Sequence, residues 1–356
     1  MKKRNGLLWF AALIVLVIVL LLFRDKLHIH FDWAMFWLQL RHVDWRPEAA
    51  AVALIYAMFW MRSARWAVLV SPTKKIGLFS TVGAQFIGFT AVGLFGRLAD
   101  LTRPYLIAKK VQLRLSSQIA VYTIERMFDL AAAAIIFSIA LATTPKNLPQ
   151  HAVFAKTGLF SLGLTLALAI FALVVRATGG MVASFCRSVL GHLSKGAAES
   201  ISQKILDFRD GLNALSSFRD FVVVLAMSLA MWASIGLAYV QVLHGFVETK
   251  ELATISYSQT MLLMAASIGG SMVQLPIVGW FTQIGVTATA MRTFFGAPVE
   301  SATACGALLL VVMSLSILPA GLLFAQIGRV SLKQAAEESS AAAETESPTV
   351  SESIPS

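Results

Sequence analysis

The strongest constraint on this chain is the spacing of its apolar runs. Starting at Gly6 to Phe23, they recur at Ala49 to Val70, Ile76 to Phe95, Ile119 to Ala142, Gly158 to Val175, Phe221 to Leu243, Ile255 to Leu275, Ile277 to Met291 and Ala302 to Gly328. Most approach the roughly 20 residues that a helix needs to span hydrocarbon. With no water at that depth to satisfy backbone N–H and C=O groups, such segments are stable in lipid only as helices. The expected fold is all-α, a polytopic integral membrane helical bundle of about seven to nine hydrophobic segments. One embedded domain over residues 1–333 accounts for all of them.

Composition and charge fit that reading. Of 356 residues, 57% are hydrophobic and 13% charged, about half the charged fraction of a soluble domain. The net charge of +10 arises from Lys and Arg lying mainly between apolar runs, so it reads as topology and not as a nucleic-acid surface. Cys186 and Cys305 form no CxxC pair, which indicates neither a disulfide framework nor a thiolate metal site. The basic start Lys2-Lys3-Arg4 resembles a signal peptide, but the run after it ends in Arg24-Asp25-Lys26 with no small-residue cleavage site. It is expected to stay as a first span.

Sorting the cations orders the topology. With the N-terminus cytoplasmic, Arg62, Arg65, Lys74 and Lys75 return to the cytoplasmic side after the second span. A full crossing by Ile76 to Phe95 would then export Arg97, Arg103, Lys109, Lys110, Arg114 and the basic stretch from Arg176 to Arg219, against the positive-inside rule. A re-entrant or broken element keeps most of the cations inside. Gly77, Gly83, Gly88, Gly93 and Gly96 weaken a continuous helix there, although a helix packed through small residues explains them equally well. Late in the chain Gly269, Gly270, Pro276, Gly279 and Gly285 punctuate two short runs, and a pair that leaves and returns keeps the C-terminus cytoplasmic. One broken element in each half is the pattern of inverted-repeat transporters, though no residue-level repeat is visible.

Three pieces are expected not to span. Trp33, Phe36, Trp37 and Leu40 fall at helical spacing behind a capping Asp32, an interfacial helix. Residues 176–220 read as a cytoplasmic amphipathic loop, and residues 334–356, rich in Ala, Ser, Glu, Thr and Pro, as a disordered polar cytoplasmic tail.

Ionisable groups at membrane depth are costly and mark candidate sites. One constellation is Gly93 to Tyr105, where glycines admit a ligand to the backbone, Arg97 and Arg103 offer forked donors for a phosphate, and Asp100 could hold either arginine. The alternative is a cytoplasmic loop whose helix ends at Pro104. The other is Tyr122, Glu125, Arg126 and Asp129, placed on one helical face by offsets of three and four. Arg126 can reach Asp129 or Tyr122 there, leaving Glu125 with a spare negative charge. That face serves either as interhelical glue, or as a proton or cation relay, or as counter-charge for Arg97 or Arg103. His28-Ile29-His30-Phe31-Asp32 reads as an interfacial loop in preference to a metal site. No phosphate-loop, Asp-x-Asp, GxSxG or HExxH motif is present, so no cofactor, metal or nucleotide motor is expected.

These residues resemble the flippase-like membrane region of lysylphosphatidylglycerol synthases. Gly96 to Tyr105 looks like that family's Gly-Arg-x-Gly-Glu-x-x-Arg-Pro stretch, with Ala99-Asp100 in place of Gly-Glu. Tyr122 to Asp129 is similar to its Glu-Arg-x-x-Asp helix, and Pro276 to Val286 with Gly296-Ala297-Pro298 to its late Pro-Gly segment and Gly-Val-Pro turn. The late segment reads Thr287-Ala288 where an acidic residue is common. The resemblance implies a domain of the bacterial cytoplasmic (inner) membrane that handles a lipid head group, with Arg97, Asp100, Arg103, Glu125, Arg126 and Asp129 as contacts. Aminoacyl transfer is not expected, because only a short polar tail follows Lys333 where the larger synthases carry a catalytic domain.

The leading expectation is a lipid flippase or lipid transporter recognising an anionic or phosphate-bearing head group. The alternative is a membrane enzyme or accessory subunit of glycolipid or envelope-lipid synthesis. Expected partners are membrane lipids and enzymes of lipid biosynthesis, not nucleic acid.

Overall fold

Where an apolar run begins beside a short polar residue, a capped helix follows. In a computed structural model, residues 31–144, 151–191, 202, 217–271 and 278–346 are described, and they form thirteen α-helices and no strand. Helix α1 (Trp33–Arg41) starts at Asp32, whose carboxylate accepts from the Ala34 and Met35 amides, and α2 (Trp45–Val70) starts at Asp44. Next come α3 (Val82–Phe95), a 3₁₀ turn (Gly96–Ala99), α4 (Thr102–Val111), α5 (Leu115–Ala142) and α6 (His151–Gly191). The second half holds α7 (Phe218–His244), α8 (Lys250–Ala253), α9 (Tyr257–Ser271), α10 (Val278–Phe295), α11 (Val299–Leu310), a π turn (Val311–Leu315), α12 (Ile317–Ile327) and α13 (Leu332–Glu346).

Among the described residues, two segments are long and apolar enough to cross a membrane, α7 and the rod made of α11, the π turn and α12. Helices α2 and α5, with 26 and 28 residues, have the length as well, about 39 and 42 Å at 1.5 Å per residue, but carry charges. Large apolar side chains such as Leu130, Phe160, Ile170 and Ile327 point outward, as on a surface solvated by lipid. The chain is an all-α membrane bundle.

Packing pairs α2 with α7, α5 with α6, α9 with α10, α10 with α11, and α3 with α12. The last pair is close because α12 presents Gly321 to Thr90 and the Phe86 backbone of α3, where a Cβ would collide. In lipid, small residues let helices gain dispersion contacts that larger ones would block. The π turn interrupts the long rod, and the Tyr56 hydroxyl of α2 donates to the Ser316 carbonyl beside it at 2.8 Å.

Several expectations are redrawn. The run Ile76 to Phe95 becomes helical only at Val82, and α3 has 14 residues, about 21 Å, short of a bilayer's roughly 30 Å. Its end is Gly96, with φ 68°, a backbone state that L side chains disfavour. The glycines named as breaks elsewhere do not break helices: Gly93 lies within α3, Gly269 and Gly270 in the last turn of α9, Gly279 and Gly285 within α10. An isolated glycine weakens a helix by only about 1 kcal/mol, which packing overrides. Residues 272–277, including Pro276, lie outside the described residues, as do the first span Gly6 to Phe23 and the His28 to His30 stretch. Of the amphipathic loop, residues 176–191 continue α6 past a kink at Thr178, and most of the remainder up to 216 is not described. Of the expected tail at 334–356, residues 334–346 belong to α13, where Ala335, Ala336 and Ser339 find a buried seat against the 3₁₀ turn and α4, and 347–356 lie outside the described residues.

Candidate functional site

The helical repeat places Arg62 and Arg65 on one face of α2, and Glu125 and Asp129 on one face of α5. These faces meet. Arg65, fully buried, donates through one terminal nitrogen to Asp129 at 2.6 Å and to the Ser228 hydroxyl of α7 at 2.6 Å. Its other terminal nitrogen reaches Glu125 at 2.6 Å. Ser228 can accept because its own proton goes to the Val224 carbonyl. Arg62 bridges the same two carboxylates more loosely, at 3.2 Å to Glu125 and 3.5 Å to Asp129.

The third guanidinium comes from α4. Arg103 donates to both oxygens of Glu125 and to Gln85 of α3. It lies 5.0 Å from the Trp66 and Tyr122 ring centres and 5.2 Å from Phe89. Its approach depends on Gly88 of α3, where a Cβ would stand 2.6 Å from the Cβ of Arg103. Arg126 lies at the rim, 3.7 Å from Asp129 and 5.1 Å from the Tyr122 ring centre, with its side chain 42% exposed.

The electrostatics follow from the inventory. Three buried guanidinium groups face two buried carboxylates, which leaves one positive charge in excess, and Arg126 adds another at the edge. Arginine keeps its proton under all ordinary conditions, so the excess cannot be discharged by titration. Five buried N–H donors around the cluster, Nε of Arg62, Arg65 and Arg126 and Nε2 of Gln85 and Gln118, have no acceptor among the described residues. Orphaned buried donors are costly. An anion with several acceptor oxygens would satisfy both deficits.

The structure thus brings together Arg103, Tyr122, Glu125, Arg126 and Asp129. The spare charge assigned to Glu125 is reversed: its carboxylate meets three arginines, and the surplus is positive. Asp100 lies half-buried between the 3₁₀ turn and α4, and the backbone of Arg97 lies within that turn. Sequence reasoning missed Arg62, Arg65, Gln85 and Ser228. The first two were counted among the cations that follow the second span, whereas they lie inside α2 with Arg65 wholly buried. Their signal was an offset of three within an apolar run, which puts both on one helical face, as the offset of four does for Glu125 and Asp129 on the partner helix.

A membrane-embedded α-helical bundle with a buried arginine–carboxylate cluster is the class that fold and site define. The family model described as the lysylphosphatidylglycerol synthase TM region matches residues 8–332. The chain belongs to that family, a group of membrane proteins related to lipid metabolism or transport. Neither a curated protein nor a solved structure matches it.

Proposed function

We propose that this chain is a lipid flippase or lipid transporter that recognises an anionic, phosphate-bearing head group. The observation that carries the reading is the buried surplus of guanidinium charge with its unpartnered donors. Arg65, held by both carboxylates and Ser228, acts as the fixed post. Arg62 and Arg103 share Glu125, and a phosphate competing for them exchanges one acceptor for another without leaving a charge bare. That exchange lets a head group enter and leave without a nucleotide motor.

The short α3, ending at Gly96 and turning into α4, supports a re-entrant element that carries Arg103 to membrane depth. Arg97 and Asp100, on that turn, are proposed to meet the head group first. Lys74, whose ammonium donates to the Val111 carbonyl at 2.8 Å, clusters with Lys109 and Lys110 at the end of the bundle that α13 covers. Trp33, Trp37 and Trp45, all exposed, mark the other end. By the positive-inside rule this supports cytoplasmic N- and C-termini in a bacterial inner membrane, with enzymes of lipid biosynthesis as suppliers of substrate.

Proteoliposomes of the purified chain are expected to accelerate transbilayer movement of a labelled phosphatidylglycerol or polyprenyl phosphate, and Arg103→Ala to abolish it while the protein remains monodisperse. No acceleration across a panel of anionic lipids would overturn the proposal.

A further inference from the structure

Helix α10 has a feature that neither the arginine cluster nor the packing of the bundle uses. Gly285 lies well inside this 18-residue helix, where glycine is about 1 kcal/mol less favourable than alanine. Some helical glycines here have a packing reason: Gly88 admits Arg103, and Gly270 sits 3.0 Å from Val286 and 3.1 Å from Gln283 as a Cβ would measure it, whereas Gly163, Gly180 and Gly269 face open space as Gly285 does. A Cβ at Gly285 would meet nothing within 4 Å among the described residues, and the residue does not have positive φ. The glycine leaves open space instead.

That space is the floor of a trough of about 360 Å³, walled by Ala266 of α9 and by Val286, Ala290 and Phe294 of α10. Through Thr289 and Thr293 the trough runs on into a second hollow of about 430 Å³, which holds Arg292 and Gly296. The Thr289 hydroxyl donates to the Gly285 carbonyl at 2.8 Å. Arg292 and Thr293 are exposed and make no side-chain hydrogen bond or ion pair among the described residues. An apolar channel therefore ends at an unpaired cation beside a free hydroxyl. Both hollows fall within the few hundred cubic ångströms of ordinary ligand sites.

The depth fits. Arg292 is four residues before the Gly296 corner that leads into α11, and Glu300 at the start of α11 accepts from the Asp32 amide at 3.2 Å, where α1 begins. The exposed Trp33 and Trp37 of α1 are side chains that gather at the head-group level. The cation is thus at the interface and the trough runs into hydrocarbon.

We propose that this groove is a phospholipid site separate from the arginine cluster, with the phosphate on Arg292 and Thr293 and one acyl chain lying over Gly285. Its occupant is a glycerophospholipid, since only an amphiphile with an anionic end matches a trough that is apolar along its length and basic at its mouth.

The test uses the full chain in detergent micelles with a phosphatidylglycerol carrying a photoactivatable diazirine in its acyl chain, and a diacylglycerol with the same chain. Labelling of residues 285–294 is expected from the first probe and to be roughly tenfold weaker from the second, the effect of one lost charge-assisted contact. Arg292→Gln, on an exposed position, is expected to lower phosphatidylglycerol labelling to the same extent, and Gly285→Leu to abolish it by filling the trough. Gly285→Ala keeps the fold, because its Cβ has room, and retains labelling. Arg103→Ala leaves labelling at 285–294 unchanged, which separates this site from the cluster. Equal labelling by both probes, indifference to Arg292→Gln, loss with Arg103→Ala, or cross-links to a second copy or to residues 6–23 in place of lipid would each overturn it.

Discussion

Two polar networks tie helices together in this bundle, and they are built on opposite principles. In the second half, Tyr239 of α7 donates to Ser267 of α9 at 3.0 Å, and Gln283 of α10 donates to the same hydroxyl at 3.1 Å. The network is neutral, joins three helices and leaves none of those side chains with a buried orphan atom. In the first half, α2, α3, α4 and α5 are joined through charges, with Ser228 of α7 as an added acceptor, a net positive surplus and five orphan donors. Closed neutral networks suffice to hold helices together in lipid. Burying ions costs several kcal/mol each and contributes little net stability. The contrast is what supports the proposed head-group role of the arginine cluster.

The largest expected effect comes from opening the charged network at its centre. Arg65→Leu removes the closest partner of Asp129 and one of the three arginines on Glu125, leaving Asp129 only the looser Arg62 and Arg126, and breaking a buried pair of this kind costs about 3–5 kcal/mol. Unfolding in detergent micelles, followed by circular dichroism, measures it. A loss below about 1 kcal/mol, the scale of neutral hydrogen bonds, would erase the distinction between the networks.

A smaller effect is expected from crowding the cluster without touching its charges. Gly88→Ala places a Cβ 2.6 Å from the Cβ of Arg103, and overpacking of this kind costs about 1–3 kcal/mol. It is expected to slow lipid movement by displacing Arg103 from Glu125, whereas Gly285→Ala, with room for its Cβ, raises stability by up to about 1 kcal/mol. Equal behaviour of the two variants would show that Gly88 is not what seats the arginine.

How far this architecture could be read from sequence depends on the range of the physics. The Tyr122, Glu125, Arg126 and Asp129 face was legible because helical periodicity is local, and so was the Asp32 cap, which acts within three residues. Arg62 and Arg65 were misread because the positive-inside rule sees cations only as loop markers, while their partners lie on a helix 60 to 67 residues away. Pairing across such a distance is a tertiary fact. The α13 segment, rich in Ala, Glu and Ser, has the composition of a solvated tail, and only its contact with α4 reveals a seat. Gly285 read as a break because glycine weakens helices, whereas the structure shows a helix that tolerates it.

In the neutral network, Tyr239→Phe removes one donor and leaves Ser267 its contact with Gln283. The expected loss is about 0.6 kcal/mol, the average for interhelical hydrogen bonds in membranes, with lipid movement unchanged. A transport defect would place the second half in the mechanism and break the comparison from the other side.

The smallest effect belongs to a third kind of polar contact, at the water-exposed edge, where charges meet without burial. Glu338 of α13 accepts from the Tyr105 hydroxyl at 2.6 Å and from Lys109 at 3.2 Å. Hydrogen bonds from Tyr105, Gln334 and Lys109 hold its pKa down at about 2. Because the docked helix favours the ionised form, this contact supports docking above the ordinary carboxylate pKa of 4.5 and is lost as pH falls through about 2. Peptic cleavage within residues 332–346 is therefore expected to rise as pH drops from 4.5 towards 2. In Glu338→Gln, which has no charge to lose, cleavage at pH 4.5 should already match that of the acidified wild type. High salt is expected to weaken the wild-type contact, since Lys109 and Glu338 face solvent, while the buried cluster stays indifferent to it. Salt thus separates ionic contacts that water screens from those that burial shields.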